Sequence, residues 1–156
     1  MKGSAQMISR KHFFMLMTIG FVLSVFVTDV MDENLIKYSE SKDGTLCYYN
    51  KDSIKRTSET VQVFDILKFN RKNEDWKSWV DLCINDSNQK SKQNCNRLSF
   101  VKNLNEINCK EGTYRIIVIV LYNEKSKILD MSSLKTSMTN IVPNTIIEEL
   151  KNRVCK

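Results

Sequence analysis

Cys109-Lys-Glu-Gly-Thr-Tyr-Arg-Ile-Ile-Val-Ile-Val-Leu-Tyr122 holds the longest β-branched apolar run of the chain beyond its N-terminus. From Ile116 to Leu121 the run is unbroken, and only Leu121 lacks a β-branch. Branched side chains fit a pleated strand better than a helical turn, which restricts them further. The run is too short to span a membrane. Its lack of alternation predicts a central strand covered on both faces, with a C-terminal helix as one cover. The other reading of such a run is an edge that pairs with a partner.

Working outward, Arg97–Cys109 reads as a strand joined to this one by the turn at Lys110-Glu111-Gly112, making a hairpin. Earlier come strands at Gly44–Tyr49 and Thr60–Phe69, with turn chemistry at Asn50-Lys51-Asp52-Ser53 between them. Alternation in the second blurs at Phe64–Leu67, which predicts a bulge. A shorter strand follows at Lys127–Met131, and Ser132–Val142 reads as a loop. Asn70–Asn96 is a polar insertion. Within it, Trp76, Trp79, Val80 and Cys83 recur at helical spacing. After Pro143, Thr145-Ile-Ile-Glu148 fits a capping box, and Ile147, Leu150 and Val154 form the stripe of a helix. The expected fold class is α+β, an antiparallel β-sheet of five or six strands with a C-terminal helix packed on it.

The 156 residues suffice for one domain and a single core. Three of the 24 basic residues, Lys2, Arg10 and Lys11, precede an apolar stretch from Phe13 to Val27. The remaining 21 face 18 acids, too mild a balance to imply nucleic acid. Residues 1–28 read as an export signal or an uncleaved N-terminal anchor, since no clean small-x-small cleavage site follows. Contact with a membrane is expected only through this segment, and residues 29–43 read as a polar tether. No cysteine follows the apolar stretch directly, so a lipid anchor is not expected.

All five cysteines lie beyond that segment, as suits an oxidised, exported domain. Cys83 and Cys95 flank a polar run and are expected to staple the insertion. Cys155, at the end of the C-terminal helix, is expected to meet Cys109, leaving Cys47 single. A zinc site competes with these pairings, but there is no CxxC pair, and the only histidine is His12 in the export segment. The same lack of histidine removes Ser–His and Cys–His nucleophile pairs. A glycosidase-type carboxylate pair stays open, because spacing in three dimensions is not legible in sequence.

The order of elements resembles the surface-adhesin protein E-like domains of bacterial envelopes. Tyr48–Arg56 is similar to that family's opening motif. Glu106, Cys109, Tyr114 and Arg115 resemble its hairpin motif, with Asn108 where aspartate is usual. Val142-Pro-Asn-Thr145 and Cys155 resemble its helix start and final cysteine. The resemblance covers about Cys47 to Cys155 and places the domain at residues 44–156. It implies no catalysis and no cofactor. It also implies exposure in the periplasm or at the cell surface, a host-matrix or envelope protein as partner, and a capacity to dimerise. On that reading the expected partner-binding residues are Lys51, Lys55 and Arg56 at the first turn, with Lys68, Arg71 and Lys72 around the end of the second strand. Clustered cations attract acidic surfaces through summed Coulomb forces that salt screens. The alternative is a periplasmic assembly factor that uses a sheet edge or the tryptophan-bearing insertion.

Overall fold

A computed structural model describes residues 34–70, 73–86 and 92–156. The export segment, Arg71 and Lys72 lie outside these residues. Six strands form the main path of an antiparallel sheet in the order β1 (Leu35–Glu40), β2 (Leu46–Asn50), β4 (Thr60–Lys68), β5 (Leu98–Asn108), β6 (Thr113–Asn123) and β7 (Ile128–Ser133). Two short strands pair off this path: β3 (Lys55–Arg56) with β4, and β8 (Thr139–Asn140) with β6. Helices α1 (Glu74–Asp86) and α2 (Ile146–Val154) complete the fold. The α+β class and the helix-backed antiparallel sheet match the sequence expectation.

The apolar run from Ile116 to Leu121 does form β6, yet this strand is next to the β7 edge. Its first seven residues are only half-buried, so full cover is confined to its last four. The tether reading of residues 29–43 is corrected at its C-terminal part. Residues 35–40 are β1, which pairs with β2 and buries Tyr38 and Ser39. Their polar side chains concealed an edge strand of which one face is wet.

The bulge expected in β4 is absent. Register with β5 runs unbroken from Thr60↔Asn108 to Lys68↔Phe100. Asp65 is the reason: it is a buried carboxylate, so Val61, Val63, Asp65 and Leu67 keep one parity. The β5–β6 hairpin closes as expected. Gly112 adopts φ +67°, and the Asn108 side-chain carbonyl accepts from the Lys110 and Glu111 amides at 3.1 and 3.0 Å. An amide at position 108 therefore fastens this turn through the same kind of acceptor that a carboxylate provides.

Both helices join clusters built on the same sheet face. Leu150 and Val154 of α2 sit with Tyr38, Cys47, Tyr49, Val61, Val63 and Ile107. Val80 and Cys83 of α1 sit with Cys95, Leu98, Val101 and Leu121. The two disulfides tie the helices down: Cys83–Cys95 joins α1 to the lead-in of β5, and Cys109–Cys155 joins the β5–β6 turn to the end of α2. Cys47 is free and buried.

Helix starts follow side-chain acceptors. Asn73 Oδ1 accepts from the Trp76 amide at 2.7 Å and begins α1. Asp75 Oδ2 accepts from Ser41 and Thr45 hydroxyls at 2.7 and 2.8 Å, tying that start to the β1–β2 hairpin. The capping box expected at α2 takes a displaced form. Thr145 Oγ1 donates to the Val142 carbonyl, and Glu148 Oε2 accepts from the amide of Asn144. Asn144 is left-handed, at φ +62°, which presents its N–H to the glutamate one residue early.

Trp76 Nε1 donates to the Leu98 carbonyl at 2.9 Å, linking α1 to β5. Trp76→Phe removes the donor and leaves a buried carbonyl unpaired. We expect a loss of about 1–2 kcal/mol, read as a lower urea midpoint at constant m-value. An unchanged midpoint would show that packing, the Cys83–Cys95 bond and the Asp75 contacts hold α1 without the tryptophan hydrogen bond.

Candidate functional site

The first basic corner grows from one capped turn. Asn50 Oδ1 accepts from the Asp52 amide at 2.8 Å. Ser53 Oγ donates to the Asn50 carbonyl at 2.7 Å and accepts from the Phe64 amide at 2.9 Å. This clamp leaves Lys51 exposed and delivers the chain into β3, where Lys55 pairs with Gln62 and Arg56 with Val61. Both basic residues of β3 are exposed. As neighbours in a strand, they project from opposite faces.

This corner carries mixed charge, with Lys51, Lys55 and Arg56 beside the exposed acids Asp52 and Glu59. Glu106 is the nearby acid across the sheet, but it accepts from Arg115 at 2.5 Å and from Gln62 Nε2 at 3.1 Å. Among the described residues, Lys51, Lys55 and Arg56 form no ion pair. Lys68 lies elsewhere. It ends β4, exposed, with its ammonium 5.2 Å from the centre of the Tyr48 ring. Gln62, the partner of Lys55, is separated from Lys68 by six residues along β4, about 20 Å at strand rise. Lys51, Lys55 and Arg56 thus follow one turn, with Lys55 and Arg56 on opposite faces of β3, and Lys68 is set apart.

Among the described residues there are clefts away from these charges that no sequence motif signals, two of which bear on the sheet edges. One, of about 650 Å³, opens where α2 begins, between Glu40, Tyr114, Asn140, Val142, Thr145 and Ile147. The other, of about 140 Å³, lies between α1 and the β6–β7 edge, lined by Leu82, Ile119, Leu121, Met131 and Leu134. Sequence reading missed both because each forms only when β8 or β7, strands within or beside the expected loop, folds against β6.

The buried polar centre is structural in its contacts. Asp65 Oδ2 accepts from the Tyr38 hydroxyl at 3.0 Å, and Oδ1 accepts from Asn105 Nδ2 at 2.8 Å. Burial pushes the Asp65 carboxyl up to about 6, against the pull of hydrogen bonds from Asn105, Tyr38 and Asn103. Burial, reinforced by Asp65, raises the Tyr38 hydroxyl as well. The same two causes push the Cys47 thiol up to about 12, so it stays protonated and unreactive. Among the described residues, no group of three or more His, Cys, Asp or Glu side chains is placed to hold a metal ion. No described helix is long and apolar enough to cross a membrane. What the arrangement offers to solvent is charge and apolar relief.

Structures of protein E from Haemophilus influenzae are similar to this chain at low identity. A selenomethionine form is 14% identical, with 82% of this chain and 89% of that one covered, at a TM-score of 0.49. A second crystal form is 12% identical, with 82% and 91% covered, at a TM-score of 0.49. Protein E from a non-typeable Haemophilus influenzae is 13% identical, with 82% and 78% covered, at 0.47. No curated protein sequence matches the chain. The surface-adhesin protein E family matches residues 35–156, from the first residue of β1 to the C-terminal lysine. The chain belongs to the surface-adhesin protein E family.

Proposed function

We propose that this protein is an exported, non-catalytic binding protein of the bacterial envelope that adheres to an acidic protein or glycan surface. Lys51, Lys55 and Arg56 make the principal contact. Lys68, with Arg71 and Lys72 following it, makes a second. The observation that carries this reading is the corner at β3: two exposed cations without acidic partners among the described residues, in a chain of a surface-adhesin family. Two disulfides within the domain support folding outside the cytoplasm. The apolar segment from Phe13 to Val27 supplies the export signal or anchor.

Double charge reversal, Lys55→Glu with Arg56→Glu, is expected to weaken binding to immobilised matrix proteins by about tenfold or more at low salt. The difference should shrink as salt is added. Melting curves check that the variant is folded, since both side chains point to solvent. Equal binding by the variant at every salt concentration would remove the corner from the contact.

Among the described residues nothing pairs with the outer edge of β7, which favours a second reading, an assembly factor that grips another envelope protein. Protease added to intact cells separates the two. Digestion of the protein supports the surface reading, and full resistance with digestion after permeabilisation supports the periplasmic one.

A further inference from the structure

We propose that the β7 edge is a docking site for an extended segment of a partner protein, apolar at its centre and acidic at its ends, which adds to the sheet as another strand. This rests on the binding reading and names a surface for it.

The backbone defines the site. β7 pairs with β6 as Val118↔Ser133, Ile119↔Ser132, Val120↔Met131 and Leu121↔Asp130. The Leu134 amide donates to the Ile117 carbonyl at 2.8 Å, which fixes the alternation of the ladder. Bonded pairs alternate with unbonded ones, so Asp130 and Ser132 direct their N–H and C=O groups at β6. Met131 and Ser133 direct theirs outward. Beyond the register shift, the Asn123 amide donates to the Lys127 carbonyl at 3.0 Å, which turns the backbone of Ile128 outward too.

Side chains supply the specificity. Met131 is 50% exposed and Ile128 is 53% exposed, unusual for large apolar groups on an edge strand. Met131, paired with Val120, projects from the face opposite Leu121 and α1, so the exposed apolar groups of the edge lie on the face away from the helix. Lys125 and Lys127 precede the strand and Lys135 follows it, all exposed and without acidic partners among the described residues. Asp130, the one acid of β7, lines the cleft on the inner side. Cations at both ends of an apolar edge complement a strand with acids at both ends.

The probe is a synthetic peptide of alternating valine and threonine with acidic residues at each end, added to the full chain. In hydrogen exchange, the Met131 and Ser133 amides should exchange fast in the free protein and at least about tenfold more slowly with peptide. Asp130 and Ser132 should be protected in both. Ser133→Pro removes an outward N–H that pairs with no described strand, and should abolish the peptide effect with the fold intact. A peptide N-methylated on the residues that face β7 repeats the test without altering the protein. No added protection at Met131 and Ser133 at millimolar peptide overturns the proposal. So does protection of the same amides at high protein concentration without peptide, which assigns the edge to a second copy of this chain. Matrix binding that survives Ser133→Pro while the peptide effect never appears would overturn the edge and leave the basic corner standing.

Discussion

Replacing both Cys109 and Cys155 by serine is expected to lower the unfolding free energy by about 4 kcal/mol. The bond joins residues 46 apart, so it closes the larger of the two covalent loops. In the chain-entropy account, a loop of that length restricts the unfolded ensemble by about that amount. The folded state gives little to offset the loss. α2 has nine residues, too few to be helical without tertiary support. Its buried anchors are only Leu150 and Val154, and Cys155 ties its last turn covalently to the β5–β6 turn. Replacing both cysteines avoids leaving a reactive thiol at position 109. Cys47 does not compensate, because burial keeps its thiol protonated. The measurement is a denaturant titration under oxidising conditions, beside the wild type with and without reductant. Typical domains hold only about 5–15 kcal/mol, so the change should be plain. A midpoint within error of the oxidised wild type would mean that α2 docks by apolar contact alone.

The elements legible in the sequence are those whose burial follows a local period. The run at Ile116–Leu121 announced β6, and the spacing of Trp76, Val80 and Cys83 announced α1. β1 was hidden because Lys37 and Glu40 face water and pair with each other, while Tyr38 and Ser39 on either side of a register shift go inward. No two-residue alternation survives that shift. The smooth course of β4 was hidden by Asp65, whose burial depends on Tyr38 and Asn105, 27 and 40 residues distant. A polar residue at a core position is legible only when its partners are known. The basic residues illustrate the same limit. Lys55, Arg56 and Lys68 are close in sequence, yet a nine-residue strand carries the last to the far end of the sheet. Residue types named the chemistry of the surface, and strand pairing decided which charges share it.

Between about pH 7.5 and pH 4, the wild type should gain about 2 kcal/mol of stability relative to Asp65→Asn. Burial raises the Asp65 carboxyl from the ordinary 3.8 to about 6 in the folded protein. The folded state therefore binds this proton more tightly than the unfolded chain does. The resulting stabilisation is fully present below pH 3.8 and is lost as pH rises through 6. The groups around the carboxyl do not titrate in that window. Tyr38 and Cys47 are both raised, and Asn103 and Asn105 carry no charge. Glu149, from α2, acts on Tyr38 and Cys47 through longer-range Coulomb repulsion and is exposed. Asparagine is close in shape and keeps one acceptor, so the variant should fold while losing the titration. Subtracting its unfolding free energy from that of the wild type at each pH cancels the remaining acids and bases. The difference should climb steadily as the solution is acidified from about pH 7 to about pH 4. A flat difference across that range would mean that Asp65 ionises as it does in water, and that Tyr38 and Asn105 hold an ordinary carboxylate. The opposite slope, with the wild type losing ground on acidification, would mean that their hydrogen bonds outweigh burial.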